Sequence, residues 1–337
     1  MRHPIRAGRL VAALAISTAL CVALAGCGGG SGDAATLLRQ TFGGAHSVSS
    51  GDLSVSVTVD PTDSRTLTRP LTFTFGGPFE SRGKGQLPAS NFQIAMTAQG
   101  TIGSLALLST GNQGYVTLEG TSYQLPAATF QQLESSFAQL TLPSSGGSGS
   151  SELQRLGIDP MQWVTHPSVV GSESIGGTQT THIRAGVNAA ALANDLNTFL
   201  GKASALGVLG AAGSPNSFSA TTQSELTSEI KSPGIDVWTG KSDKTVRKLA
   251  FHLTLLLSGQ ESSELGGMRS AAVGVVMQYT SLGQPQTISP PSTVAPFSQF
   301  TARFEQVLQR FETALSGRSG SGTALAGGER GFATARG

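Results

Sequence analysis

Residue types and spacings suited to catalysis are sparse in this chain. No G-x-S-x-G sequence occurs, so the nucleophile turn of the α/β-hydrolases is absent. Beyond the first ten residues the histidines are His46, His166, His182 and His252, and no two have the H-x-x-x-H spacing of a metal site. The chain also lacks a P-loop and a G-x-G-x-x-G sequence. We therefore expect no catalytic residue, no metal site and no cofactor, and predict that the protein is not an enzyme.

Cys27 is the residue for which the sequence predicts a chemical modification. Three arginines at positions 2, 6 and 9 precede an apolar run over residues 10–24, which is the layout of an export signal. The run holds roughly 15 residues and is shorter than a membrane-spanning helix. Leu24-Ala25-Gly26-Cys27 resembles the lipobox of bacterial lipoproteins, which implies cleavage before Cys27 and a diacylglycerol on its sulfur. The alternative is an ordinary secretory signal that leaves Cys27 as a free thiol.

This leader places the protein on a membrane surface. We expect a signal peptide over residues 1–26, a lipidated cysteine and flexible tether over 27–33, and export to the outer face of the bacterial cytoplasmic membrane, within the cell envelope. Two or three acyl chains hold a protein firmly, whereas one holds it only marginally. The other cysteine, Cys21, lies in the predicted signal, so the mature chain has no pair for a disulfide.

Charge excludes one class of partner. The formal net charge is +2, but without the three leader arginines the chain has 19 basic and 20 acidic residues. Nucleic-acid binding needs a basic face, and the sequence shows none. Charged residues make up 12% of the chain, about half the usual share, while Gly, Ser and Thr are abundant. This composition favours β structure with polar, uncharged outer faces.

Apolar residues alternate with polar ones in several segments, which predicts strands with one buried face. The pattern is found over residues 53–59, 71–75, 92–98, 249–257 and 273–279. Helices are predicted near residues 34–42, 126–140, 153–163, 188–209 and 225–230. His182 and His252 are expected to point outward from their strands. These segments predict an α+β fold: a large curved antiparallel sheet, forming a half-open β-barrel, with helices that cover or plug its concave face.

We expect residues 34–296 to form this domain, followed by an amphipathic helix over 297–315 and a disordered Gly/Ser/Arg-rich tail over 316–337. The apolar face of the sheet must be covered. In one interpretation, the helices pack against this face and form a filled core. In the other, a partly empty cavity with aliphatic walls remains and binds lipid. The residues proposed to line such a cavity are Val55, Val57, Phe73, Phe75, Ile94, Met96, Leu249, Phe251, Leu253, Leu255, Val273, Val275 and Met277.

Three passages resemble a known family. They are Gly157-Ile158-Asp159-Pro160, then Val170-Gly171-Ser172-Glu173 with Thr180-Thr181-His182-Ile183, and Asp236-Val237-Trp238 with Val246-Arg247-Lys248-Leu249. Together with the lipobox they resemble the LppX/LprG-type lipoproteins of actinobacteria, which are similar in fold to the LolA-like lipoprotein carriers. Ile183 stands where the family often has an aromatic residue, and Thr239 where an acidic one is common.

The resemblance implies a lipid-anchored, non-catalytic protein. Its apolar cavity would bind an acyl lipid or glycolipid and transfer it through the envelope, with an envelope transporter as a possible partner. The alternative is a scaffold or signalling lipoprotein with a filled core, whose phenylalanine face from Phe297 to Phe311 binds a protein partner.

Overall fold

The computed structural model describes residues 34–43, 48–141, 157–205 and 219–315. The signal peptide, Cys27, the tether and the tail from residue 316 that the sequence predicts lie outside these residues. No helix within the described ranges is long and apolar enough to cross a membrane.

One antiparallel sheet organises the described chain. Its strands are β1 (Ser50–Thr62), β2 (Leu71–Glu80), β3 (Ala89–Ala98), β4 (Thr101–Ser109), β5 (Gly114–Leu118), β6 (Thr121–Gln124), β7 (Val164–Ile175), β8 (Thr178–Val187), β9 (Ile230–Gly240), β10 (Val246–Leu256) and β11 (Ser270–Thr280). The spatial order is β6-β5-β4-β3-β2-β1-β11-β10-β9-β8-β7. Within β1–β6 and within β7–β11 each strand therefore neighbours the next in sequence, and the pairing of β1 with β11 joins these two meanders. Strands β6 and β7 are the edges, so the sheet is open and is not closed into a barrel.

Seven helices are described. They are α1 (Ala34–Gly43), α2 (Ala127–Thr141), α3 (Pro160–Trp163), α4 (Ala189–Ala205), α5 (Ala220–Glu229), α6 (Gly259–Glu264) and α7 (Ser298–Leu315). Helices α2 and α3 lie between the two edge strands in sequence, and α7 follows the last strand.

The predicted fold class, a large open antiparallel sheet with a few helices, is confirmed. Hairpins turn at Glu119-Gly120 and Gly176-Gly177, where all four residues have positive φ. Two successive residues with positive φ suit a two-residue hairpin loop. Asp159 caps α3, because its Oδ1 accepts a hydrogen bond from Met161 N at 3.2 Å.

Some boundaries differ from those predicted. Residue Ile230, predicted to end a helix, instead begins β9 and pairs with Leu255 of β10, so sheet pairing outweighs the local preference. The helix predicted over 153–163 is described only as the four residues of α3. Helix α6 was not predicted, since its sequence GQESSE has no apolar periodicity to detect.

Helices pack on one face of the sheet, which we call the helix-bearing face. Leu53, Val55 and Val59 of β1 point to it, whereas Ser54 and Thr58 point to the opposite, outer face. The first core joins α1, α3 and α4 to one end of this face, and it contains Leu37, Leu38, Phe42, Trp163, Phe199, Leu53, Val55, Ile183, Ile235, Val237, Leu249, Met277 and Tyr279. The second core joins α7 to the other end, and it contains Val59, Leu67, Leu71, Ala98, Val116, Leu118, Tyr123, Met268, Ala271 and Val307.

The attachment of α1 to the sheet gives a stability prediction. Leu38 is fully buried in the first core, whereas Leu133 on α2 is 43% exposed. We expect Leu38→Ala to lower the free energy of unfolding by about 2–5 kcal/mol, because it removes buried methyl groups and leaves a cavity. The control Leu133→Ala should change it by less than about 0.5 kcal/mol. Urea unfolding followed by circular dichroism measures both, and equal effects would contradict the assigned packing of α1.

Candidate functional site

A band of half-buried apolar side chains crosses the helix-bearing face between the two cores. We call it the apolar strip, and its half-buried members are Phe73, Phe75, Ile94, Met96, Leu105, Phe251, Leu253, Leu255, Val273 and Val275. They come from β2, β3, β4, β10 and β11, with β1 between them. None of these side chains is ionisable. The strip is therefore a wholly apolar surface that the helices leave partly exposed.

The strand register arranges these side chains in rows. In one row Phe251 pairs with Val275, and Val275 pairs with Val57 of β1. Val57 in turn pairs with Phe73, which pairs with Met96. Neighbouring strands lie about 4.8 Å apart, so the five spacings from β10 to β4 make the strip about 24 Å long. That length is sufficient for a fatty acyl chain to lie across the strands.

Val57 forms the floor of the strip. It is 2% exposed although it belongs to neither core. Its neighbours in the row, Phe73 and Val275, are half-buried. The row is therefore most deeply buried at β1.

Aromatic contacts mark where the strip meets the first core. The rings of Phe75 and Phe92 have centroids 4.8 Å apart, and those of Trp163 and Phe251 are 6.1 Å apart. Trp163 is held in place because its Nε1 donates to Asp195 Oδ2 at 2.7 Å. At the other end, Met96 and Leu105 pack against the second core.

All thirteen residues proposed from the sequence to line a cavity lie on the helix-bearing face. Val55, Val57, Leu249 and Met277 are buried, and the other nine are half-buried. Their alternation predicted the common face, and their role in lipid binding stays a prediction. Leu105, Phe92 and Trp163 were not proposed. Leu105 pairs with Ile94 across strands, so the register alone identifies it.

The outer face carries a polar cluster on β7 to β10. His182 Nε2 lies 2.6 Å from Asp236 Oδ1, and Arg184 Nε donates to the same oxygen at 2.9 Å. The His182 ring stacks on Trp238 with centroids 4.3 Å apart, and Trp238 Nε1 donates to Glu173. Lys248 Nζ of β10 lies 4.5 Å from the centroid of the Trp238 ring, so these contacts link four strands. They include side chains from the passages that carry the family resemblance. His182 lies on the outer face as predicted, but its partners leave its side chain only 12% exposed. His252 is exposed on that face.

Other polar features lie away from the strip. A cavity of about 380 Å³ lies at the end of β2 to β4 and is lined by Glu80, Ser81, Arg82, Ala89, Thr110, Gln286 and Ile288. Within the described ranges no group of three or more His, Cys, Asp or Glu side chains is arranged to hold a metal ion. Burial raises the pKa of the Asp52 carboxyl on β1.

Asp243 stabilises the hairpin between β9 and β10. Burial raises the pKa of its carboxyl, but hydrogen bonds from Arg247 and from the Thr245 N–H, with the charge of Arg247, outweigh burial and hold that pKa below its usual value. Arg247 is itself buried. A carboxyl with a lowered pKa stabilises the folded state above its unfolded pKa of about 3.9, and this contribution is lost as the pH falls through the folded pKa.

The contribution of the Asp243 charge to the free energy of unfolding can be measured with Asp243→Asn. We expect the variant to be less stable than the wild type at pH 6 and the difference to shrink below about pH 4, where the wild-type carboxyl becomes protonated. Urea unfolding at pH 6, 4 and 3 measures the difference, with Glu305→Gln on the exposed side of α7 as the control. A difference that stays constant down to pH 3 would show that the Asp243 charge contributes nothing.

Comparison with protein-family models and with curated proteins finds no match for this chain. Solved structures similar to it include LprF from Mycobacterium bovis, with 13% identity, a TM-score of 0.32, and coverage of 71% of this chain and 90% of that one. They also include the lipoprotein LppX from Mycobacterium tuberculosis, with 12% identity, a TM-score of 0.29 and the same coverage. A LolA superfamily protein from Nitrosomonas europaea has 10% identity, a TM-score of 0.19, and coverage of 76% and 96%. Members of the family that the sequence resembles are thus among its structural neighbours.

Proposed function

We propose that this protein binds acyl lipids on the apolar strip while it is anchored to a membrane through Cys27, and that it passes those lipids through the cell envelope without catalysing a reaction. The observation that carries the proposal is the strip itself. It is a continuous apolar surface of six strands whose side chains, apart from that of Val57, the protein's own helices leave partly exposed.

A contiguous apolar surface that stays partly exposed is unfavourable in water, and such patches mark binding sites. A bound acyl chain would remove both the strip and its own methylenes from water, and each buried methylene contributes about 0.8 kcal/mol. Lipid pockets need aliphatic and aromatic walls with few fixed polar groups. The ten half-buried members of the strip meet this requirement, because they are Phe, Leu, Ile, Val and Met.

The alternative of a scaffold that binds a partner through its C-terminal phenylalanines has less support. Phe297, Phe300 and Phe304 pack against the second core of the same chain. A partner would have to displace them or use another surface.

Lipid binding can be tested with neighbouring residues of β11 that point to opposite faces. Val275 lies in the strip, whereas Val276 lies on the outer face and is 37% exposed. We expect the Cys27→Ser chain, which has no covalent lipid, to carry non-covalent lipid in native mass spectrometry. Val275→Trp should reduce the bound fraction about tenfold, because overfilling a packed site costs about 1–3 kcal/mol.

The control Val276→Trp adds the same indole to the same strand and should leave the bound lipid unchanged. Solvent extraction then identifies the lipid as phospholipid or glycolipid. A chain with no bound lipid, or equal loss in the two tryptophan variants, would contradict the proposal.

The anchor can be tested through the two cysteines of the chain. In cells fed labelled palmitate, we expect the wild type and Cys21→Ser to incorporate label and to partition into detergent. Cys27→Ser should do neither, because the proposed lipidated sulfur is absent. Label that persists in Cys27→Ser, or that depends on Cys21, would refute the assignment.

A further inference from the structure

The surface beneath α7 continues the apolar strip. Val59 and Leu71 of the second core lie on the same face as Val57 and Phe73, two residues further along their strands. Met96 and Leu105 belong to the strip and also pack against this core. Helix α7 contacts β3, β4 and β5, so it covers the surface that continues the strip beyond Met96 and Leu105.

Helix α7 is docked shallowly on this surface. Val307 is its buried side chain among those described, Phe300 and Phe304 are half-buried, and Leu308 is 46% exposed. Phe297, Phe300 and Phe304 stack in a row with successive centroids 5.4 Å apart. Three stacked rings thus fill a site that a flexible apolar chain of similar width would also fill.

One buried polar atom weakens this docking. The Tyr123 ring of β6 contacts Phe300, with centroids 5.7 Å apart, and Tyr123 is fully buried. Its hydroxyl group has no hydrogen-bond partner. A buried hydroxyl without a partner costs about 1–3 kcal/mol, and that cost falls on the arrangement with α7 in place. Departure of the helix would return the hydroxyl to water or to a polar group of a ligand.

The polar contacts between α7 and the rest of the protein are weak or easily broken. Arg310 forms an ion pair with Glu119 in the β5–β6 turn, but both side chains are about half exposed, and exposed pairs contribute little. Ala295 N donates to Ser122 O in a single bridge next to the edge strand β6. Since α7 follows β11 in sequence and pairs with no strand, it can leave without breaking the sheet.

We infer that the surface beneath α7 is a second acyl-chain subsite, occupied in the free protein by the aromatic face of α7 and taken over by the second chain of a two-chain lipid. This inference rests on the proposed function and specifies its ligand. A lipid with one chain fits on the strip alone, whereas a diacyl lipid displaces α7 and places its second chain against Met96, Leu105 and Tyr123.

Hydrogen exchange with mass spectrometry tests this in the otherwise unmodified Cys27→Ser chain. The probes are palmitate and dipalmitoyl phosphatidylglycerol, each loaded until native mass spectrometry shows one bound molecule. We expect the diacyl lipid to speed amide exchange across residues 298–315 at least tenfold. With palmitate, amide exchange in that helix should be as slow as in the free protein. Peptides from β10 and β11 should not exchange faster with either lipid.

The outcomes separate the two levels of the proposal. If the diacyl lipid binds but amide exchange in α7 is unchanged or slower, the second subsite is wrong and the proposal of lipid binding is unaffected. Failure of both lipids to bind overturns the proposed function and the subsite together.

A pair of variants on α7 provides a matched comparison. Phe304→Asp places a charge on the face that packs on the sheet, and Leu308→Asp places the same charge on an exposed position one turn later. We expect Phe304→Asp to speed exchange in α7 without lipid and to raise the affinity for the diacyl lipid several-fold, because the competing helix is already released. Leu308→Asp should resemble the parent chain. Equal diacyl affinity in Phe304→Asp and the parent, with β10 and β11 still protected, would overturn the inference.

Discussion

The antiparallel pairing of β1 with β11 is the constraint on which the rest of the structure depends. Each of the two meanders pairs only with its own neighbours, and this ladder alone makes them one sheet. Eleven residue pairs join the strands from Asp52↔Thr280 to Thr62↔Ser270. A shift of one residue would turn every side chain of one strand to the other face. The apolar strip crosses this seam, so its continuity depends on the register of Val57 with Val275.

The two cores show why the middle of the face stays open. Helices α1, α3 and α4 reach one end of the strands, and α7 reaches the other. Filling the remaining band would require another helix or larger side chains at the floor, where Val57 lies instead. The sheet therefore has more apolar surface than its helices cover. A binding protein needs this excess, whereas a protein selected for stability alone gains nothing from it.

The two faces of the sheet differ in chemistry. On the outer face, contacts among Glu173, His182, Asp236 and Trp238 tie the edge strand β7 and its neighbour β8 to β9. These contacts hold an open sheet together where it has no closing strand. On the helix-bearing face, α7 pairs with no strand, so the ladder of backbone hydrogen bonds does not depend on it. Passages that carry the family resemblance contribute to the outer cluster, in keeping with a structural role.

Period-two alternation in the sequence determined which residues share a face, because successive side chains of a strand point in opposite directions whatever the tertiary structure. The thirteen proposed cavity residues, the two hairpin turns at Glu119 and Gly176, and the cap at Asp159 depend on such local rules. The proposed export signal and lipidation site are also inferred from local sequence. Strand register and the reach of the helices depend on contacts between distant parts of the chain, and no local pattern encodes them. Only the tertiary structure therefore decided that Leu105 joins the strip, that Val55 is buried while Phe75 is half-buried, and that the phenylalanines of α7 face their own sheet.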